Sequence, residues 1–310
     1  MNNKGVEFSL NAQVIDSSSW KWSVSGNIGV NRNEISDLGL LPADFGCLGE
    51  RVGYYGNSLG DHFGVGHIFL AGEAPGLFYG YVTQGIVQKE DITENGIKYI
   101  KQDGSVGYYQ TVNKTTPVAG DVKYVDRNGD GVVDDNDRDI IGNPNPDFTY
   151  GFQTKVSWKS LSLSASFNGV QGRDILNVGN RYNNTPGTKS NNVTRKAFQN
   201  MWTDENPSNL YPKSTFVVQN MVMDRYVEDG SYLRCSDITL SYVLPAKWTN
   251  KIGIKNTSVY ASVKNAFVIT DYSGYDPEVN SFAFDGLRPG VDMNSYPTPR
   301  SFVFGLNLTF

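Results

Sequence analysis

The chain has 310 residues, 39% of them hydrophobic and 19% charged, and it is rich in Gly (33), Tyr (18) and Phe (16). A net charge of −5 with no basic block excludes a nucleic-acid binder that works by neutralising phosphates. Two cysteines (Cys47 and Cys235) and two histidines (His62 and His67) make neither a disulfide framework nor a zinc pattern, and no constellation of catalytic residues stands out, so no enzyme is expected.

The N-terminal MNNKGVEFSL has neither the basic region nor the apolar run of a signal peptide, and strand-like sequence begins at once. The chain therefore reads as a fragment. No stretch approaches the ~18 consecutive apolar residues of a membrane helix. A membrane barrel escapes that filter because its strands alternate, and the mean hydropathy of −0.39 suits one.

Alternation with period two is the dominant signal. Val6, Phe8, Leu10, Ala12 and Val14 fall on one face, with Glu7, Ser9, Asn11 and Gln13 on the other. After the turn Asp16-Ser17-Ser18-Ser19, a second strand sets Trp20, Trp22, Val24, Ile28 and Val30 against Lys21, Ser23, Ser25, Asn27 and Asn31. A third runs from Phe148 to Trp158. Past a tight turn at Lys159-Ser160, a fourth sets Leu161, Leu163, Ala165 and Phe167 against Ser162, Ser164, Ser166 and Asn168. A fifth carries Ile238, Leu240, Tyr242 and Leu244, a sixth Val259, Ala261 and Val263, and a last one Phe302, Phe304, Leu306, Leu308 and Phe310.

Most of these strands cover the ~9–11 residues that cross a bilayer at barrel tilt. Their polar faces hold Ser, Asn, Gln, Thr and Gly with few charges, as a watery lumen requires. Aromatic residues at strand ends suit interfacial girdles. Connections alternate between short turns and long loops (about 34–147, 171–229 and 270–300), the arrangement of an outer-membrane barrel. Within the second long loop, 192–202 is expected to form a short helix capped by Asn192.

The sharpest local motif is DRNGDGVVDDND at 126–137. Asp126, Asn128, Asp130, Asp134 and Asp137 occupy loop positions one, three, five, nine and twelve, with Gly131 at six and the Val132 carbonyl at seven. That is the oxygen spacing of a calcium loop, and structural Ca2+ is expected here. Position twelve holds Asp rather than Glu and no flanking helices are evident, so the expectation is a staple rather than a sensor. Other candidates are weaker. Asp276-Pro277-Glu278 reads as a turn, Asp61-His62 has no nucleophile at a recognisable spacing, and GLFYGYVTQG (Gly76–Gly85) reads as packing sequence that could otherwise stack a sugar.

Four stretches resemble the SusC/RagA family of TonB-dependent outer-membrane transporters of Bacteroidetes: GLFYGYVTQGIVQ (Gly76–Gln88), GDVKYVDRNGDGVVDDNDRDIIGNPNPDFTYGF (Gly120–Phe152), DGSYLRCSDITLSYVLP (Asp229–Pro245) and YASVKNAFVITDYSGYDPEVN (Tyr260–Asn280). The resemblance implies an all-β fold: the C-terminal portion, about seven antiparallel strands, of a large transmembrane β-barrel with long extracellular loops. Signal peptide and plug are absent from the sequence. It further implies import of glycans or peptides, with a SusD-like surface lipoprotein as lid, TonB acting through the missing N-terminal part, and outer-membrane lipid around the wall. The alternative is a secreted, calcium-stapled β-rich carbohydrate-binding module, which requires a closed core.

Overall fold

Strict alternation gives a strand two chemically distinct faces, and in this chain seven strands share the same two faces. The computed structural model describes residues 1–39, 47–48, 51–60, 63–185, 192–214, 221–249, 254 and 256–309. The strands are β1 (Asn2–Asp16), β2 (Trp20–Glu34), β3 (Phe148–Trp158), β4 (Leu161–Gln171), β5 (Tyr232–Val243), β6 (Asn256–Thr270) and β7 (Ser301–Thr309). They form one antiparallel sheet in sequence order, β1 to β7, so every strand pairs with its chain neighbours. All seven expected strands are present. Asp61, His62 and Phe310 lie outside the described residues.

The register keeps the faces apart. Val6 pairs with Val30, Phe152 with Phe167, Leu163 with Leu240 and Ala261 with Phe304, so apolar side chains meet across neighbouring strands. The same pairing lines up Ser9 with Asn27, Gln153 with Ser166 and Thr239 with Ser262 on the other face. The apolar face is bare: Phe8 is 62% exposed and Phe304 80%. In water such a face is unfavourable at roughly 25 cal/mol per Å2, and a continuous patch of this size marks a surface made for another medium. The closed core of a free-standing module is not formed by this sheet.

Short turns join the strands at one rim. Lys159 takes positive φ (53°) to reverse the chain between β3 and β4. Trp20 and Trp158 pair across the sheet at this rim with ring centroids 5.9 Å apart, and Phe148 and Tyr150 (5.9 Å) mark the opposite rim. Among the described residues no helix is long and apolar enough to cross a membrane, which says nothing of a strand-built wall.

The long connections emerge at that opposite rim, and their described segments are packed. Segments of all three fold into one body with its own core. A five-stranded sheet from the first connection orders Arg138–Gly142, Leu77–Tyr81, His67–Leu70, Arg51–Tyr55 and Cys47–Leu48. A three-stranded sheet joins Val227–Asp229 and Asp174–Asn177 of the second connection to Val291–Asp292 of the third. The core packs Phe78, Tyr81, Tyr109 and Tyr124 from the first with Leu176, Met223 and Tyr226 from the second and Val291 from the third. Gly80 is needed where first and second meet, because a Cβ there would lie 2.4 Å from the Val222 carbonyl oxygen. The stretch Gly76–Tyr81 is therefore a buried spine, with Phe78 and Tyr79 fully enclosed, and Val82–Gly85 continue it half-buried.

The helix in the second connection is shorter than expected and differently capped. It runs Arg195–Asn200 (α2), and its cap is Thr194, whose Oγ1 accepts from the Ala197 N–H at 3.2 Å, rather than Asn192. A β-region Thr two residues later satisfies the orphan N–H, so the helix starts there. A second helix, Val178–Asn184 (α1), is capped by Asn177.

Candidate functional site

The loop 126–137 lies within the body, where its own Val132–Val133 pairs in parallel with Thr111–Val112. Its carboxylates organise its own backbone. Asp126 accepts from the N–H groups of Gly129 (2.7 Å) and Gly131 (2.9 Å), and Asp137 from those of Arg127 (2.7 Å) and Asp134 (2.8 Å). Asn128 Oδ1 accepts from Asp130 N–H, Asp130 Oδ1 from Val132 N–H, and Asp134 Oδ1 from Asn136 N–H. Asp126 and Asp137 are buried, and Tyr99 donates its hydroxyl to the Asp126 carbonyl at 2.6 Å. Burial pushes the Asp137 carboxyl up, with the Asp126 charge adding to it and the backbone N–H groups opposing. Among the described residues no three His, Cys, Asp or Glu side chains converge as a metal cage. The sequence brings all five oxygen-bearing side chains into one loop, each turned toward local N–H groups.

Where the body meets the wall stands a cluster that periodicity does not disclose. Arg234 of β5 is buried and pairs through Nη2 with Asp276 and through Nε with Glu278 at 2.9 Å. Tyr232 donates its hydroxyl to Glu278, and the Arg173 guanidinium donates to the Pro277 carbonyl. Burial alone would raise the Asp276 carboxyl. The N–H groups of Glu278 and Thr298 and the charge of Arg234 outweigh it and hold the group below the ordinary carboxylate range. The turn expected at Asp276-Pro277-Glu278 therefore clamps the third connection to the wall. Asp224 makes a similar tie between the second and first, accepting from Thr83 Oγ1 at 2.6 Å and Thr83 N–H at 3.1 Å.

Another contact joins the third connection to the first. His67 is fully buried, its Nε2 lies 2.8 Å from the Pro289 carbonyl, and its Nδ1 has no hydrogen-bond partner. Burial lowers its pKa to about 4, with the nearby Arg288 lowering it further and the Pro289 contact and Asp285 opposing.

The polar face of the wall provides the remaining chemistry. Lys264 Nζ and Ser262 Oγ both lie 2.7 Å from Asp237 Oδ2, and Thr239 Oγ1 is 2.8 Å from Oδ1. At the rim below the body a cavity of about 610 Å3 is lined by Glu7, Asn31, Arg32, Asn33, Asn145 and Asp147 among others. Amides and carboxylates on such a surface exchange hydrogen bonds with polar solutes.

Comparison with known proteins follows the same architecture. Over its whole length the chain is 30% identical across 319 residues to a TonB-dependent receptor of Formosa agariphila, covering 29% of that protein. It is 31% identical across 319 residues to the TonB-dependent receptor SusC of Bacteroides thetaiotaomicron, covering 26% of it. The chain thus spans under a third of the length of the curated relatives it matches. Among solved structures, that of the RagAB peptide transporter superposes on 99% of the chain with a TM-score of 0.67 at 24% identity, over 29% of the other chain. The RagAB peptide importer in its closed-closed state gives 0.68 at the same identity and coverage. No family model matches the chain.

Proposed function

We propose that this chain, a SusC/RagA-like length of TonB-dependent receptor whose seven strands form part of an outer-membrane β-barrel wall, works in the energised import of nutrients across that membrane. The observation that carries the reading is the two-faced sheet. Its bare apolar face suits lipid, its sparsely charged polar face suits a watery passage, and a folded body stands over one rim. With short turns toward the periplasm, the body stands outside the cell, where it would receive the nutrient and a SusD-like lipoprotein lid. TonB would act through sequence beyond this chain. The ligand is a glycan or a peptide; the RagAB structures this chain resembles are of a peptide transporter, which supports the second. The test is uptake of fluorescently labelled oligosaccharides and peptides by cells with and without the receptor. Import predicts accumulation that a protonophore abolishes, and uptake indifferent to the receptor's deletion would sink the reading.

We also propose that the loop 126–137 takes Ca2+ as a staple for the body. Support comes from its all-oxygen donors and from two buried carboxylates, Asp126 and Asp137, whose mutual repulsion a divalent cation would relieve. Asp126, Asn128, Asp130, Asp134, Asp137 and the Val132 carbonyl would hold it, after turning oxygens inward from the N–H groups they now accept. A chelator should then raise protease sensitivity near 126–137 in the wild type and not in Asp126→Asn/Asp130→Asn. Equal cleavage with and without chelator would leave the loop a self-capped turn.

A further inference from the structure

The short-turn rim is the cationic end of an acidic chain. It carries Lys21, Lys159, Lys247, Lys251 and Lys255 against a single acid, Asp16, in a sequence whose net charge is −5. Lys251 and Lys255 lie outside the described residues. The turns stand side by side: Lys159 N–H donates to the Ser19 carbonyl and Val243 N–H to that of Ser160, both at 2.9 Å. The chain leaves Val243 for the helical turn Ala246–Thr249, which carries Lys247.

Lys21 is committed to Asp16, 3.7 Å away. Lys159 and Lys247 are exposed and pair with no carboxylate among the described residues. The Lys159 ammonium lies 5.3 Å from the centroid of the Trp158 ring, a cation–π contact that ties the charge to the wall without using its N–H donors. The apolar face ends beside these cations. Trp20, Trp158, Leu161 and Tyr242 follow one another in register across β2, β3, β4 and β5. Trp20 and Trp158 are about half exposed, and Trp248, next to Lys247, is 60% exposed. A bare apolar face, then aromatic rings, then unpaired ammonium groups repeats the layers of a phospholipid: acyl chain, ester, phosphate. A soluble anion would use the lysines and leave the rings and the apolar face idle. A zwitterionic headgroup brings its own cation, so the charge that complements this rim is a net negative one.

We propose that the short-turn rim is a docking surface for anionic glycerophospholipid of the periplasm-facing leaflet, with phosphates held by Lys159 and Lys247 and acyl chains on the apolar face. The proposal rests on reading the sheet as a membrane wall and adds the class of lipid that the wall selects. The receptor carrying this chain, purified in detergent, is titrated with dioleoylphosphatidylglycerol, with dioleoylphosphatidylcholine and with chain-free glycerol phosphate, and retained molecules are weighed by native mass spectrometry. Phosphatidylglycerol should be retained in preference, the preference should shrink as salt rises, and glycerol phosphate should not be retained. Lys159→Gln and Lys247→Gln should each lower the affinity for phosphatidylglycerol about fivefold and leave phosphatidylcholine unchanged, while Lys159→Arg keeps the preference. Both side chains are exposed, so their loss is not open to confusion with misfolding. Lys98→Gln, on an exposed lysine of the body, should change nothing. A preference that survives the double Gln variant, an equal loss in Lys98→Gln, or glycerol phosphate held as tightly as the lipid would each overturn the proposal. Equal retention of the two lipids would overturn it while leaving the wall in its membrane, and retention of neither would sink the wall reading with it.

Discussion

The wall and the body above it are written in the same residues and obey opposite rules. Along β1 the apolar side chains Val6, Phe8 and Leu10 are exposed, whereas in Leu77–Tyr81 of the body every residue is buried. The wall is held by a ladder of backbone hydrogen bonds between sequence neighbours, the body by side chains from three connections far apart in sequence. Alternation therefore sorts residues toward two media, and only the setting decides whether an apolar face is a lipid surface or a protein core. Polar side chains do for the body what cross-strand pairing does in the wall: Arg234 of β5, Asp224 and the neutral His67 tie one connection to another or to the rim.

The largest effect is expected where the two regions join. Arg234→Met removes the cation from a buried pair and leaves Asp276 without it, a loss that runs to about 3–5 kcal/mol for buried pairs. Hydrogen exchange should quicken across 271–300 and leave β1 to β4 protected. The double variant Arg234→Met/Asp276→Leu should recover part of the loss, because the buried carboxylate leaves with its cation, while Glu278 still loses Arg234 and the N–H groups of Glu278 and Thr298 lose their acceptor. Failure to recover would mean the clamp is worth more than its desolvation. Next comes the wall. Leu240→Arg places a cation on the apolar face in mid-strand and should cost about 2–4 kcal/mol in a bilayer, while Ser241→Arg, one residue on and facing the other way, should cost far less. Urea unfolding of both in the same lipid vesicles separates the faces, and equal losses would erase the distinction between them.

Most of the wall was legible in sequence because its rule is local. Seven alternating segments and the turns at 17–19 and 159–160 need no knowledge of distant residues, and the pairing follows sequence order. The body was legible only as length. Asp276 and Glu278 look like turn residues because their partner, Arg234, lies in a strand whose polar register is otherwise uncharged or paired beside it. The buried run Leu77–Tyr81 carries no alternation, since both of its faces are covered. The helix cap is Thr194 and not Asn192; both residue types can cap, and the sequence spacing alone does not choose between them. Of the loop 126–137, the oxygen spacing was legible and the present use of its carboxylates as N–H acceptors was not.

The body should also respond to acid in a way the wall does not. His67 is held neutral, with a pKa near 4 against about 6.5 in the unfolded chain. Its folded pKa is the lower of the two, so the unfolded state binds the proton first. Stability is then whole above about pH 6.5 and declines as pH falls toward 4, by up to about 3 kcal/mol. Exchange at the third connection around Pro289 should rise through that window while the wall's amides stay fixed. His67→Gln should flatten the dependence, and a profile unchanged by that variant would assign the acid response to other groups.

The smallest test concerns the helix that the sequence started two residues early. Thr194→Ala removes the oxygen that accepts from Ala197 N–H and should cost about 1 kcal/mol, whereas Asn192→Ala should cost almost nothing. Thr194 also donates to Asn184 of α1 at 2.6 Å, so its loss should loosen the contact between the helices as well as the end of one. Thr194→Ser keeps both bonds and should behave as wild type, which distinguishes the hydroxyl from the methyl. If Asn192→Ala proves the costlier change, the cap belongs at 192 after all, and the helix begins where alternation gave way in sequence rather than where the body packs.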